Sequence, residues 1–345
     1  MRNLLMLLSM AFLLCATKAQ ASGTEGHEEE SLDMTHIISH HISDSHSWNV
    51  FSYESEGEMH HINISLPVMA YNEGDWIFCM SSTFAHGGKL QKNGKTYFLD
   101  ENDKLVYTRE GVAEKTRVSF DFSLTKNVAS MMLSVALLLF IFVGAARSYK
   151  KSEVPRGSTS LVELLVLFVK DIADEQIGGY KAAKFTPYLL TLFYFIWINN
   201  LIGLVPFFPG ASNLSGNISF TAILAVFTYI LTTVNANKHY WKHNLVMPGV
   251  PFVMKLILVP IEVISMFIKP FTLLVRLFAN VTGGHIIIIC LISMIFIVKS
   301  YVMVVPSILL ALVIFVLELI FGALQAYIFT LLSALYIGLA VQDEH

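Results

Sequence analysis

One stretch of the chain, residues 257–297, combines an apolar composition with side chains that an apolar environment disfavours. It reads ILVPIEVISMFIKPFTLLVRLFANVTGGHIIIICLISMIFI, and its polar members include Glu262, Lys269, Arg276, Asn280 and His285. An arginine at membrane depth costs roughly 2.5 kcal/mol or more. It also keeps its proton, because its pKa stays above ~12. The stretch therefore holds a permanent positive charge among apolar residues, and the function of the chain must account for it.

Helical geometry sorts these polar residues onto faces. At about 100° per residue, steps of seven nearly return to one face, so Glu262, Lys269 and Arg276 share a stripe. Asn280 lies one turn from Arg276, whereas His285 lies on roughly the opposite side. One face would present a fixed cation and the other a titratable imidazole. The plainer alternative is an arginine paired inside a helix bundle, which leaves the other polar groups unexplained.

The composition identifies the class of protein. The 345 residues are 54% hydrophobic and 14% charged, with a mean hydropathy of +0.60, whereas soluble domains are about 25% charged. We expect an all-α polytopic membrane protein with about five membrane helices, of which the last two are long and strongly tilted, and a small β-rich exported N-terminal domain. Cys15, Cys79 and Cys290 are too few and too scattered for a disulfide framework or a CxxC metal site.

The N-terminus is typical of a secretory signal. A short apolar run at 4–16 precedes Ala-Gln-Ala at 19–21, the pattern of a cleavage site. We therefore predict a signal peptide at 1–21, an exported domain at 22–126 and a membrane domain at 127–345.

Short alternating runs in the exported domain predict strands, namely 60–68, 95–99, 104–108 and 116–122. Gly87-Gly88 and Asn93-Gly94 mark turns. Eight of the twelve histidines lie in this domain, including the pairs His40-His41 and His60-His61. Because no Cys/His spacing of a metal site accompanies them, we interpret them as solvated surface groups and predict no metal.

The membrane domain divides by hydropathy and charge. We predict spans at 127–146, 185–206 and 218–234, a helix lying at the membrane surface at 158–180, and two long apolar elements at 257–297 and 302–340, joined by a turn at 298–306. Basic residues follow the first span and again fill 235–255, which places both flanks, and the C-terminus, in the cytoplasm by the positive-inside rule.

The long elements exceed the bilayer. A helix of 41 residues reaches roughly 60 Å, about twice the ~30 Å hydrocarbon thickness. Each element either breaks into shorter spans, at Lys269-Pro270 or Gly283-Gly284, or forms one strongly tilted helix. The scarcity of turn residues favours tilt.

The chain has no GxxxxGK[ST], GxGxxG, HExxH or GxSxG motif, so we expect no catalytic site for ATP, no cofactor and no nucleic-acid partner. His285 and Glu318 are the informative pair, because a carboxyl and an imidazole that meet across two helices can pass protons near neutral pH. A structural ion pair is the alternative. Gln325, seven residues after Glu318, is placed to hydrogen-bond or position Arg276.

Asn199 and Asn200 are embedded in the second predicted span. Amide side chains inside a membrane either bond one helix to another or support a polar path, and the sequence leaves both interpretations open.

At 269–285 (KPFTLLVRLFANVTGGH) and 318–340 (ELIFGALQAYIFTLLSALYIGLA) the chain resembles subunit a of F-type ATP synthases, in a long form with an exported N-terminal domain. The likeness covers 155–345 and includes NNLIGLVP at 199–206. It implies a proton-translocating stator subunit of the bacterial inner membrane, with two offset half-channels. It also implies, as partners, a ring of c subunits, the b subunits of the peripheral stalk, membrane lipid and protons.

The resemblance carries roles over by motif position. Arg276 matches the essential arginine, which attracts the carboxylate of the ring and prevents proton leak. The positions near the external half-channel are Asn280, His285, Glu318 and Gln325; Glu262 matches a position towards the cytoplasm, and Asn199, Asn200 and Lys269 are supporting polar residues. Many bacterial members have Glu at the position of His285 and His at the position of Glu318. This exchange keeps an acid–base pair only where the two positions touch, so it favours contact between them.

Two other functions fit a membrane protein of this size. A secondary transporter would bind its substrate near midplane and often shows internal repeats, which this sequence lacks. An exported binding domain on a passive anchor would not need several buried ionisable groups.

Overall fold

The computed structural model describes residues 44–55, 58–100, 103–109, 115–150, 157–205, 212, 214–246, 251–298 and 301–342. These residues form a β-rich N-terminal region followed by a helical region, which confirms the predicted fold class. The predicted signal peptide, His40-His41 and the acidic tail at 343–345 lie outside the described residues.

The β-rich region contains three antiparallel sheets. Its strands are β1 Ser47–Ser55, β2 Glu58–Ser65, β3 Pro67–Asn72, β4 Asp75–Met80, β5 Leu90–Lys92, β6 Lys95–Leu99, β7 Leu105–Arg109, β8 Thr116–Arg117 and β9 Phe120–Asp121, with a 3₁₀ helix at Ser81–Gly87. Strands β1 and β2 form a hairpin, and the other sheets have the orders β4-β3-β9 and β5-β6-β7-β8. Side chains of both larger sheets share one apolar core, which includes Val68, Ile77, Tyr97 and Leu105.

The predicted strands differ from the observed ones at instructive points. The run predicted at 60–68 is broken at Leu66, whose N–H bonds the Ser81 hydroxyl instead of a ladder partner. The strands β1, β4 and β5 were missed; β4 reads DWIFCM, without the polar alternation that marks a half-buried strand. The Asn93-Gly94 turn is confirmed, since both residues have positive φ, 52° and 70°, as a type I′ hairpin turn requires.

Seven helices follow in the described residues: α1 Lys126–Tyr149, α2 Ser158–Gln176, α3 Gly179–Leu204, α4 Ile218–Val234, α5 Lys238–Leu245, α6 Phe252–Val298 and α7 Tyr301–Val341. Within α1, α3, α6 and α7 lie stretches long and apolar enough to cross a membrane, and α4 is a shorter apolar helix.

Both long elements are continuous helices. Helix α6 has 47 residues and α7 has 41, so each is at least ~60 Å long, twice the ~30 Å hydrocarbon thickness. Neither Lys269-Pro270 nor Gly283-Gly284 interrupts α6. Helices of this length stay within a bilayer only at a strong tilt, as the sequence analysis favours.

Helix α7 packs closely because of small residues. Gly322, Ala326, Thr330, Ala334 and Gly338 recur every four residues and are buried, so they form one stripe along the helix. At its two ends this stripe meets Asn200 of α3 and Gln176 of α2. Without water to drive association inside a membrane, such close backbone approach is a main source of helix packing.

Hydrogen bonds between elements define one end of the helical region, here called the α1 end. The Ser212 hydroxyl, after α3, donates to Asn127 Oδ1 at the start of α1 over 2.7 Å. The Thr282 hydroxyl of α6 donates to the Gly216 carbonyl over 3.5 Å. The connection between α3 and α4 therefore bonds both the start of α1 and Thr282 of α6 at this end.

The opposite end, here called the α7 end, is closed by the last residues of α7. The Asn237 N–H, between α4 and α5, donates to the Ala340 carbonyl over 2.8 Å. The Lys181 ammonium of α3 donates to the Val341 carbonyl over 2.7 Å. These bonds satisfy carbonyls at the C-terminus of α7 that have no partner within the helix.

The contact at Gly338 gives a first prediction. A Cβ added there would overlap the Gln176 carbonyl oxygen and lie 3.0 Å from its carbon, and backbone atoms cannot rotate away. We expect Gly338→Ala to lower the unfolding temperature of the purified protein. In the control, Gly144→Ala, the new Cβ meets nothing within 4 Å, so its unfolding temperature should be unchanged or higher. Equal effects of the two changes would contradict the packing described here.

Candidate functional site

His285 of α6 and Glu318 of α7 form a pair across the two long helices. The distance from His285 Nδ1 to Glu318 Oε1 is 3.3 Å, and the side chains are 22% and 9% exposed. Glu318 is buried although the residues on either side of it, Leu317 and Leu319, are exposed. The contact favoured by the exchange of acid and imidazole is therefore present.

A glycine makes the room for this pair. A Cβ added at Gly284 would overlap Glu318 Oε1 and lie 2.7 Å from its Cγ and 2.8 Å from its Cδ. A Cβ added at the neighbouring Gly283 would meet nothing within 4 Å. Of the two adjacent glycines, only Gly284 is needed for the Glu318 carboxyl to occupy its place.

A second polar pair crosses the same helices. The Asn280 amide donates to Gln325 Oε1 over 3.0 Å, and Gln325 is only 2% exposed. Helical spacing makes Gln325 a candidate partner of Arg276, but in the structure its oxygen accepts from Asn280. The pairs Asn280–Gln325 and His285–Glu318 thus form two successive polar contacts between α6 and α7.

Arg276 lies at an open groove on one side of these contacts. The groove is also lined by Glu318 and Gln325, and by apolar residues such as Leu317 and Leu324, which are 40% and 43% exposed. Arg276 is half-buried and makes no ion pair or hydrogen bond with a residue that the structure describes. The interpretation as an arginine paired inside the bundle therefore has no support in these residues.

A cavity lies on the other side of the contacts, against α3. It is lined by Asn199, Asn200 and Gly203 together with His285 and Glu318. The Asn200 amide donates to the Gly322 carbonyl of α7 over 3.1 Å, and the Asn199 amide donates to the Phe195 carbonyl of its own helix over 2.7 Å.

Unsatisfied acceptors in this cavity mark it as a place for water. Asn199 Oδ1, Asn200 Oδ1 and Glu318 Oε2 are buried and have no hydrogen-bond partner among the described residues. A polar cavity with several such acceptors is suited to ordered water. The two asparagines therefore fit both the structural interpretation and that of a polar path. Their amide N–H groups bond backbone carbonyls, and their oxygens are left without a protein partner among the described residues.

Polar residues that were not predicted from the sequence extend from this cavity to the α1 end. A Cβ at Gly203 would lie 3.3 Å from the Ser212 carbonyl, and Ser212 bonds Asn127. The buried residues of α1 are all polar: Lys126, Asn127, Ser130 and Ser134. We call Asn127, Ser130, Ser134 and Ser212 the α1 polar column. Three of these lie at helical spacing i, i+3, i+7 within an otherwise apolar span, a signal the sequence contained.

Glu262 and Lys269 lie elsewhere. Lys269 lines a cavity toward the α7 end with Thr228, Tyr240 and Tyr336, and its ammonium sits 5.8 Å from the centre of the Tyr336 ring. Burial, and more weakly the Glu262 carboxylate, raise the pKa of Tyr240 in the short helix α5, which places Glu262 near that helix. The structure therefore does not bring these two residues to the His285–Glu318 pair.

The described residues contain no group of three His, Cys, Asp or Glu side chains placed to hold a metal ion. The side chains of His60 and His61 are not among those described.

Comparison with known proteins identifies the family. Residues 128–338 match the model of the ATP synthase A chain family. The chain belongs to this family. Residues 37–127 match a domain of unknown function, which fits a long form of subunit a with an additional N-terminal domain.

Several relatives are named ATP synthase subunit a. The chain is 46% identical over 233 residues to ATP synthase subunit a of Chloroherpeton thalassium, covering 65% of this chain and 68% of that protein. It is 42% identical over 307 residues to that of Chlorobium phaeobacteroides strain DSM 266, covering 85% and 87%. It is 35% identical over 339 residues to that of Anaeromyxobacter sp. strain Fw109-5, covering 94% and 76%. The resemblance drawn from the motifs is thereby confirmed.

The adjacent glycines offer a matched test of the site. We expect Gly284→Ala to displace the Glu318 carboxyl from His285, and Gly283→Ala to leave it in place. The measurement is the rate of ATP-driven acidification of membrane vesicles. Gly284→Ala should lower this rate by about tenfold or more, because a misplaced reacting group slows the reaction it takes part in. The amount of assembled complex is measured in parallel. Similar rates in the two variants would show that the position of Glu318 does not matter for proton transfer.

Proposed function

We propose that this chain is the proton-translocating stator subunit of an F-type ATP synthase, and that its two offset half-channels pass protons to and from carboxylates on a ring of c subunits. Family membership favours this function over a secondary transporter. The observation that carries the proposal is Arg276, a permanent cation at an open, largely apolar groove without an ion pair among the described residues. A charge in such surroundings calls for an opposite charge, which here would come from the ring.

The external half-channel is proposed to run from the α1 end to Glu318. Protons would enter along the α1 polar column, cross the cavity of Asn199 and Asn200, and reach the His285–Glu318 pair. Its buried oxygens without partners, including those of Ser130, Asn199 and Asn200, support a hydrated path. His285 and Glu318 suit the last transfer, because imidazole changes charge near neutral pH.

The other half-channel is proposed to open at the α7 end, through the cavity of Lys269 and past Glu262. Along α6, Arg276 lies seven residues from Lys269 and nine from His285, so ~10 Å and ~14 Å separate them along the helix axis. Arg276 thus lies between the two polar regions.

This position suits the role of Arg276. A ring carboxylate that loses its proton would gain an attractive partner in a medium of low dielectric constant. Because the guanidinium keeps its own proton, it would also block direct passage between the half-channels. The open groove leaves the pair accessible to water, which keeps the attraction weak enough for the ring to move on.

The orientation follows from charge. Lys238, Lys242 and Lys255 lie next to the α7 end, and Arg147 lies in the last turn of α1. The positive-inside rule then assigns the α7 end and the C-terminus to the cytoplasm of a bacterial inner membrane, and the β-rich region to the exported side. We infer the b subunits of the peripheral stalk as further partners.

The central test removes the cation. We expect Arg276→Ala to abolish ATP-driven proton pumping by the assembled complex in vesicles while the soluble ATPase stays active, because no fixed charge would remain opposite the ring carboxylate. Lys170→Ala, which removes an exposed cation from α2, is the control and should pump normally. Normal pumping by Arg276→Ala would remove this residue from the mechanism.

A second test exchanges the acid and the imidazole. His285→Glu alone would place two carboxyls opposite each other at a contact that is now 3.3 Å. Glu318→His alone would place two imidazoles there, so each single variant should slow proton pumping. The double variant His285→Glu, Glu318→His restores one of each, and we expect its rate per assembled complex to exceed that of both single variants. If the losses instead follow the amount of assembled protein, the pair is structural.

A further inference from the structure

The β-rich region has an unusual outer surface. On β4, the exposed Trp76, Phe78 and Met80 alternate with the buried Ile77, and Phe120 and Phe122 at β9 are also exposed. The five exposed side chains are between 49% and 65% accessible. We call Trp76, Phe78, Met80, Phe120 and Phe122 the aromatic face.

The aromatic face is contiguous. The ring centres of Trp76 and Phe78 are 5.8 Å apart, those of Trp76 and Phe122 are 6.3 Å apart, and those of Phe120 and Phe122 are 6.3 Å apart. The rings thus bridge β4 and β9 across the central strand β3. A patch of stacked rings on an outer surface is uncommon in a soluble domain and marks contact with a membrane or another molecule.

The sheet runs into α1 without a linker. The Phe122 N–H bonds the Met69 carbonyl over 2.8 Å, and the Leu124 N–H bonds the Pro67 carbonyl over 3.0 Å. Thr125 then caps α1, which begins at Lys126. The four Cα–Cα steps from Phe122 to Lys126 span at most ~14 Å, so the aromatic face cannot move far from the start of a membrane-crossing helix.

We propose that the aromatic face lies on the surface of the lipid bilayer at the N-terminal end of α1, with its rings in the headgroup layer. Trp concentrates at this depth because its apolar ring carries a polar N–H, and Phe side chains insert at the boundary between the headgroups and the acyl chains. The exposed apolar side chains of α1 begin at Val128, so the lipid-facing surface continues along the chain into the aromatic face. The exposed Lys92, whose ammonium bonds the Trp76 carbonyl, adds a cation that suits anionic lipid.

Lipid contact of the aromatic face would fix the β-rich region next to the entrance of the proposed proton path. The Lys126 N–H bonds the Ser45 carbonyl, and the Asn127 N–H bonds the Asp44 carboxylate over 3.2 Å. The β-rich region is therefore bonded to the same turn of α1 that carries the first residue of the α1 polar column. The lipid contact itself depends only on α1 crossing the bilayer and not on the proton path.

The test uses the assembled complex in nanodiscs of phosphatidylcholine and phosphatidylglycerol. In a chain whose three cysteines are replaced by serine, Phe78→Cys and, separately, Phe120→Cys carry an environment-sensitive fluorophore. Lys104→Cys, at an exposed position directly before β7, is the matched control. Quenching is measured with nitroxide-labelled lipid and, independently, with a water-soluble quencher.

We expect nitroxide lipid to quench positions 78 and 120 about threefold more strongly than position 104, and the aqueous quencher to show the reverse order, as for groups seated at the interface. Equal aqueous quenching at all three positions would overturn the proposal, because the face would then be open to water. Protection from both quenchers at 78 and 120 would also overturn it, because a protein surface, either another subunit or a second copy, would then cover the face.

Discussion

The positive charge of Arg276 is the constraint around which the helical region is arranged. A guanidinium cannot discharge by losing its proton, so an apolar setting for it is stable only with water or an anion nearby. The structure places it at an open groove between the two longest helices. The polar contacts Asn280–Gln325 and His285–Glu318 then separate this groove from the cavity behind it. The two long helices thus have the groove of Arg276 on one side of their polar contacts and the cavity of Asn199 and Asn200 on the other.

Close packing keeps those surroundings distinct. Small residues let α7 approach α2 and α3, and Gly284 lets the Glu318 carboxyl lie against α6. Gly338 and Gly284 leave no space for a methyl group, which is why a change of one carbon there is expected to alter packing or proton transfer. The β-rich region contributes at the α1 end, where its backbone bonds the first turn of α1 and its aromatic face is directed to lipid in our proposal.

The sequence predicted most elements and misjudged their details for physical reasons. The apolar segments are long, so their helices were located to within a few residues at most ends. The strands are short, and β4 was missed because its outward side chains are aromatic where a solvated sheet would be polar. The α1 polar column was missed because a serine within an apolar span costs little free energy and is a weak signal of function. An arginine there costs much more and is therefore a strong signal.

The sequence by itself determined that the chain crosses a membrane, which ionisable groups lie within it, and that His285 and Glu318 belong together, because composition and motif carry those facts. Only the tertiary structure decided which atoms meet. Helical periodicity assigns a residue to a face but does not say what faces it, so Gln325 was offered to Arg276 and bonds Asn280 instead. The continuity of α6 through two candidate breaks was likewise decided by the fold, because proline and glycine permit a break in a membrane helix without requiring one.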